Sequence, residues 1–359
     1  MKLLLSSLSL VCLGLSAAQK QLVMPSVIDA DETTTPITLD LDWLTISPGF
    51  ETVPFETRAL GGSVPGPTIK ISAGTTLKIK FRNLLTEQKG ALSSFVTGLT
   101  NGYQDPDTGN LHFHGPHVSS ILPADDTTLV VPPGQEYVYE IPFAANHMPG
   151  TYWVHPHHHG SSALHLGGGA ALALVVKDPP GYLPPQIENA QDTVLVFQDW
   201  DIVKLIDASS AAGDARFNAG LRSIEGGKDI GQRFVTVNGM YQPTLTIVQG
   251  EWQRWRVLYA GWQDLTLELS LEENGADCEM HLLAKDGIYI NDYPRSLADD
   301  PTLPVPPGGR ADVMIKCSNV GSASFSALTR RDTLTLQVVE SNTTSTASAA
   351  EAWIPDEIP

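Results

Sequence analysis

Along much of the chain, apolar and other residues interleave with a period of two. Leu77, Ile79 and Phe81 alternate with Lys78, Lys80 and Arg82. Trp255 and Val257 alternate with Arg254 and Arg256, and Leu334, Leu336 and Val338 with Thr335, Gln337 and Val339. Successive side chains of a strand point to opposite faces, so these runs predict half-buried β-strands, each with one face on a core. Helix-period patterns are scarce. With 31 Gly and 26 Pro as punctuation, the chain reads as all-β.

Segments also recur in register. Pro67-Thr68-Ile69-Lys70-Ile71 followed by Gly74 returns as Pro243-Thr244-Leu245-Thr246-Ile247 followed by Gly250. Pro132-Pro133-Gly134, opening a strand through Ile141, returns as Pro306-Pro307-Gly308, opening one through Ile315. Two matches at nearly constant offset predict a duplicated β domain. Asp178-Pro179-Pro180-Gly181 breaks any strand and marks the boundary. The first domain is therefore expected over 36–178 and the second over 185–340, with 341–359 a Ser/Thr/Ala-rich linker or tail.

The 359 residues suit two domains or slightly more. A formal charge of −18 argues against nucleic-acid binding, because an acidic surface repels phosphates and gathers cations. Met1-Lys2, the apolar run from Leu3 to Leu15 and Ser16-Ala17-Ala18 form a secretory signal peptide over 1–18, too short to span a bilayer. The expected product is extracellular, or periplasmic in a bacterium, and does not lie in a membrane. Cys12 leaves with that leader. Cys278 and Cys317 then most simply form one disulfide; a thiolate metal site would need histidines nearby, and only His281 is close. Asn342-Thr343-Thr344 is a glycosylation sequon.

Nine of the ten histidines fall between His112 and His165. His112 and His114 form a His-x-His pair, whose rings share one face of a strand. Trp153-Val154-His155-Pro156-His157-His158-His159-Gly160 is the second cluster, in which His155, His157 and His159 share a face if the chain stays extended. Four or more imidazoles with no thiolate suit copper best and zinc next, and suit calcium or magnesium poorly. Asp105-Pro106-Asp107-Thr108-Gly109-Asn110 lacks the spacing of a calcium loop and reads as a turn. Gly167-Gly168-Gly169 precedes a strand, not a helix, and so is no phosphate cradle. Gly160-Ser161-Ser162 lacks the spacing of a hydrolase nucleophile elbow.

These motifs resemble the multicopper oxidases, a family that includes laccases, bilirubin oxidases and cuprous oxidases. Gly61 to Ile69, Leu111 to Gly115 and Gly150 to Gly160 carry the likeness in the first half. Val237-Asn238-Gly239 through Trp255-Arg256, and Pro307 to Val313, carry it in the second. The resemblance implies two tandem cupredoxin-like Greek-key β-sandwiches, the first two cupredoxin domains of the family. It further implies that His112 ligates a type 2 copper, that His114 and His155 hold one type 3 copper, and that His157 holds the other. Trp153 and Phe113 would pack beside them.

Family oxidases pass electrons from a type 1 copper through a His-Cys-His bridge to a trinuclear cluster, where oxygen becomes water. No His-Cys-His occurs in this sequence, and only His281 follows His165. By the resemblance, the chain carries half of a trinuclear site and no type 1 motif. Two readings follow. One is an oxidoreductase completed by a third domain or a partner chain, using dioxygen and a reducing substrate. The other is a secreted, non-catalytic copper-binding or interaction protein of the same descent.

Overall fold

The computed structural model describes residues 20–48, 54–85, 102–225, 233–272, 275–290, 294–297, 302–327 and 331–341. The expected signal peptide over 1–18, the Asn342 sequon and nearly all of the 341–359 tail lie outside the described residues.

Alternation builds two β-sandwiches in succession. In the first, one sheet runs Val27–Asp29, Thr68–Ile71, Leu172–Val176, Gly150–His155 and His112–His114. It faces a sheet of Phe55–Leu60, Ile37–Ile46, Thr76–Asn83 and Glu136–Pro142. Leu39, Leu41, Ile79, Phe81, Phe113, Val154 and Leu174 fill the space between them. In the second, a large sheet centred on Gln191–Asp201, Gln253–Tyr259 and Arg310–Cys317 packs on one holding Thr244–Val248, Arg331–Val339 and Gly321–Ala327. Trp255, Val257, Phe325, Leu334 and Leu336 lie in its core.

The repeated segments occupy matching places. Thr68–Ile71 pairs in parallel with Leu172–Val176 on one side and Val27–Asp29 on the other. Thr244–Val248 pairs in parallel with Arg331–Val339, and Gln21 forms a parallel bridge to Thr244. The chain's entry segment therefore straps both sandwiches, with Leu22 buried in the second core. Cys278 and Cys317 stand opposite each other in antiparallel strands and form the expected disulfide.

Two features depart from the sequence expectation. The first is a helix pair, Ile202–Ala211 and Ala215–Ile224, in a stretch that shows little helical signal at first reading. Asp201 and Asp214 cap their N-termini by accepting the N–H groups of Lys204 and Phe217. Leu205, Phe217 and Leu221 pack on Phe55, Trp200 and Phe234. Apolar residues at 202, 205 and 206 behind an Asp cap were the available signal.

The second departure is strand Gln253–Tyr259, which is buried on both faces. Trp255 and Val257 enter the core as expected, but Arg254 and Arg256 do not face water. They lie between the sandwiches, where Arg254 meets Asp178 at 2.7 Å and Asp312 at 2.6 Å. Arg256 meets Asp192 at 2.7 Å and Asp312 at 3.3 Å. The Thr151 hydroxyl donates to Asp312 at 2.7 Å, which ties this network to strand Gly150–His155. Beside it, Trp153, Ala173 and Val175 pack on Val194, Val196, Leu258 and Ala260.

Removing one member of a buried ion cluster strands its partners without water. Asp312→Ala is expected to lower unfolding stability by roughly 3–5 kcal/mol, read as a reduced urea midpoint. Exposed Lys78→Ala, which loses a surface pair with Glu140, is expected to change it by less than about 1 kcal/mol.

Candidate metal centre

Strand His112–His114 is an edge strand whose residue 113 faces the core, which turns both histidines outward. Its neighbour Gly150–His155 places His155 directly opposite His112, and Trp153 opposite His114. The paired strand ends at His155, so His157 arrives on the loop that follows it. The His155 and His157 rings nonetheless lie side by side, with centroids 5.6 Å apart, and His159 follows in a turn. His157 still closes on the group, because its N–H donates to the Asn110 side-chain oxygen at 2.7 Å. Asn110 is itself buried and held by the carbonyls of Thr127 and Leu129.

The four sequence-predicted residues thus come together. The ring centroid of His112 lies 5.4 Å from that of His114, 5.3 Å from His155 and 5.0 Å from His157. Ligating atoms of His112, His114 and His155 all lie within 4.8 Å of one another. His114 Nδ1 faces His155 Nε2 at 3.4 Å.

Hydrogen bonding on the far side of two rings sets the tautomer. A carbonyl can only accept, so His155 Nδ1–H donates to the Pro156 oxygen at 3.0 Å and Nε2 is left bare. His112 Nδ1 donates to the Asp125 carboxylate at 3.0 Å, which leaves its Nε2 free. Asp125 also accepts the Phe113 N–H at 3.0 Å, so one side chain fixes both ring and strand. Nothing in the local pattern of the sequence marks Asp125 or Asn110; only the fold brings them here. Trp153 stacks on His155 with centroids 4.2 Å apart and lies 4.9 Å from His114, the packing role expected of it.

Burial disfavours the charged form of three of these imidazoles. His114 is pushed down to about 4, first by burial and then by the nearby Arg310 charge. His155 is held well below the ordinary range by burial and by His112. Burial also lowers His157. A neutral imidazole is the form that binds a metal ion.

The remaining histidines are differently engaged. His165 is fully buried, and its Nε2–H donates to the Pro106 carbonyl at 2.7 Å. His147 donates to the Met148 carbonyl and accepts the His117 N–H, which uses both nitrogens. His158 turns toward Asp105, at 3.8 Å. His281 sits in the second sandwich beside Glu279. His157, His158 and His159 line an open groove of about 700 Å³ with Tyr103, Thr128 and Val130. The 105–110 segment is a turn as expected, and its Asp107 is committed to Arg58 at 3.0 Å.

His165 gives the fold an acid limit. Its ordinary value near 6.5 falls to about 3, mainly through burial and secondarily through Arg58. The unfolded chain binds that proton more readily, so the stability is fully present above about pH 6.5 and is lost as pH falls toward 3. Between pH 7 and 4.5 this single group is expected to remove about 2–3 kcal/mol. His165→Gln should flatten that part of the slope of urea midpoint against pH.

Residues 93–181 match the family model described as multicopper oxidase. The chain is 24% identical to Laccase-7 of Arabidopsis thaliana over 65% of its own length and 36% of that protein. It is also 24% identical to a multicopper oxidase of Staphylococcus haemolyticus, over 81% of its length and 56% of the relative. The chain thus spans between a third and just over half of these curated relatives. The solved structure of the McoA multicopper oxidase from Aquifex aeolicus superposes with a TM-score of 0.67 at 16% identity, covering 96% of this chain and 68% of that one. The fold is therefore that of two cupredoxin-like β-sandwiches in tandem, as in solved multicopper oxidases, and the family match itself covers residues 93–181.

Proposed function

We propose that this chain binds copper through His112, His114, His155 and His157 and supplies one side of a copper centre that reduces dioxygen. The observation that carries this reading is the convergence of bare imidazole nitrogens from two neighbouring strands. His155 and His112 each anchor the opposite nitrogen, to a carbonyl and a carboxylate respectively. A nitrogen-only donor set with no thiolate fits copper, with zinc next. In this reading His112 serves a type 2 ion, His114 and His155 one type 3 ion, and His157 the other. Bound copper would supply one-electron redox chemistry, with electrons drawn from a reducing substrate.

The protein's own contribution is orientation. Asp125 holds the His112 ring and the backbone beside it; Asn110 holds the loop that carries His157; Trp153 stacks under the two rings that face each other. The sequence contains no His-Cys-His run. The type 1 copper and the remaining ligands belong, in this proposal, to a third domain or to another chain. The apolar run at the start of the sequence supports export by a signal peptide, with Asn342 as a glycosylation site. Among the described residues, no helix is long and apolar enough to cross a membrane. A non-catalytic copper-binding protein would use the same four histidines and differ only in lacking a completing partner.

The purified chain titrated with copper is expected to bind it, to stay free of intense blue colour and to leave a phenolic dye unoxidised. The double variant His112→Ala/His155→Ala should lose the bound copper by metal analysis. Unchanged stoichiometry in that variant would refute the ligand assignment. Vigorous dye oxidation by the chain alone would refute the divided centre.

A further inference from the structure

The second sandwich contributes no ligand to the proposed centre, yet its residues 308–310 press against it. Gly308 lies beneath the His114 ring: a Cβ at this position would sit 3.1 Å from His114 Cε1 and 3.4 Å from Trp153 Cζ2. Its φ of +75° adds a second reason for glycine. The turn is pinned, since Gly308 N–H donates to the Tyr259 carbonyl at 2.9 Å and Tyr259 N–H to the Gly309 carbonyl at 3.0 Å.

Arg310 joins this turn to the ligand strands. Its buried guanidinium donates from Nη1 to the Gly308 carbonyl at 2.9 Å and from Nη2 to the Asp286 carbonyl at 3.0 Å. Nε donates to the Thr151 carbonyl at 3.2 Å, on the strand that carries His155. The Asp286 carboxylate lies 3.3 Å from Nη1 and balances the charge. Gly115, the residue after His114, has no side chain, and a Cβ there would collide with Nη2 of Arg310. One planar fork thus touches the turn under His114, the residue following His114 and the strand of His155. Lysine offers a point charge without that geometry.

We infer that Arg310 is a positioning residue of the metal centre, locking the Gly308 turn of the second sandwich under His114 and so fixing that imidazole against His155. Only the metal readout of this inference rests on the copper reading; the ring geometry stands independently of it. An arginine that merely joined the two sandwiches would alter stability without singling out His114.

The test uses the full chain labelled with nitrogen-15 histidine, with His114→Gln assigning the His114 ring signals. In metal-free Arg310→Gln, the His114 ring resonances are expected to move while those of His112 and His157 stay in place. Copper ions should bind about 10- to 100-fold more weakly. Arg310→Lys should recover only part of either effect. If Arg310→Gln does not fold, Arg310→Lys and Asp286→Asn are read in the same way. Unmoved His114 signals in a folded variant would overturn the inference, as would movement spread equally over all four rings. Should the unmutated chain bind no copper, the copper reading fails, while the metal-free spectra still decide the role of Arg310.

Discussion

The strand Gly150–His155 is the element on which the rest of this molecule depends. Val154 enters the core of its own sandwich, while Trp153 and His155 face the other way. On one edge it pairs with the short strand that carries His112 and His114. On the other it pairs with Leu172–Val176, whose own outward residues seal the contact with the second sandwich. Thr151 receives a hydrogen bond from Arg310 at its carbonyl and meets Asp312 and Arg256 at its hydroxyl. A single extended segment therefore carries a candidate ligand, presents a core residue and anchors the interface between the two halves.

Burial of charge around that strand follows from the same packing. Arg254 and Arg256 interleave with Trp255 and Val257, so feeding the aromatic and aliphatic groups into one core drives both arginines to the opposite face. That face is covered by the first sandwich and cannot be hydrated. Asp178, Asp192 and Asp312 meet the guanidinium groups there, and Tyr289 adds a hydroxyl at 2.6 Å from Arg254. Such clusters set the relative placement of the packed elements more than they add net stability. Here that placement brings Gly308 and Arg310 up to the histidines.

The same exclusion of water shapes the chemistry of the histidine cluster. Imidazoles near one another and partly buried resist protonation, because each charge would lack solvent and repel its neighbours. His114 and His155 are therefore neutral over the whole physiological range, with ring nitrogens facing each other at 3.4 Å. His165 and His147 share the depressed basicity, but each donates a ring N–H to a backbone carbonyl away from the cluster, so the same environment yields structural histidines a few residues away. What separates the two classes is the direction of the ring nitrogens. Burial does not distinguish them.

Period-two alternation sufficed to read the β class from the sequence, because side-chain direction along a strand is a local property. The internal repeat and the His-x-His spacing were legible for the same reason, and Cys278 and Cys317 offered one simple pairing. Tertiary structure decided what no short window contains. It ended the strand at His155 and anchored the loop beyond it, so that His157 joins the cluster through Asn110. It buried Arg254 and Arg256 on a strand face that alternation alone assigns to water. It also brought Asp125 and Arg310 to the histidines, across turns and across sandwiches. Sequence spacing prescribes which face of a strand a side chain takes; only packing prescribes what that face meets.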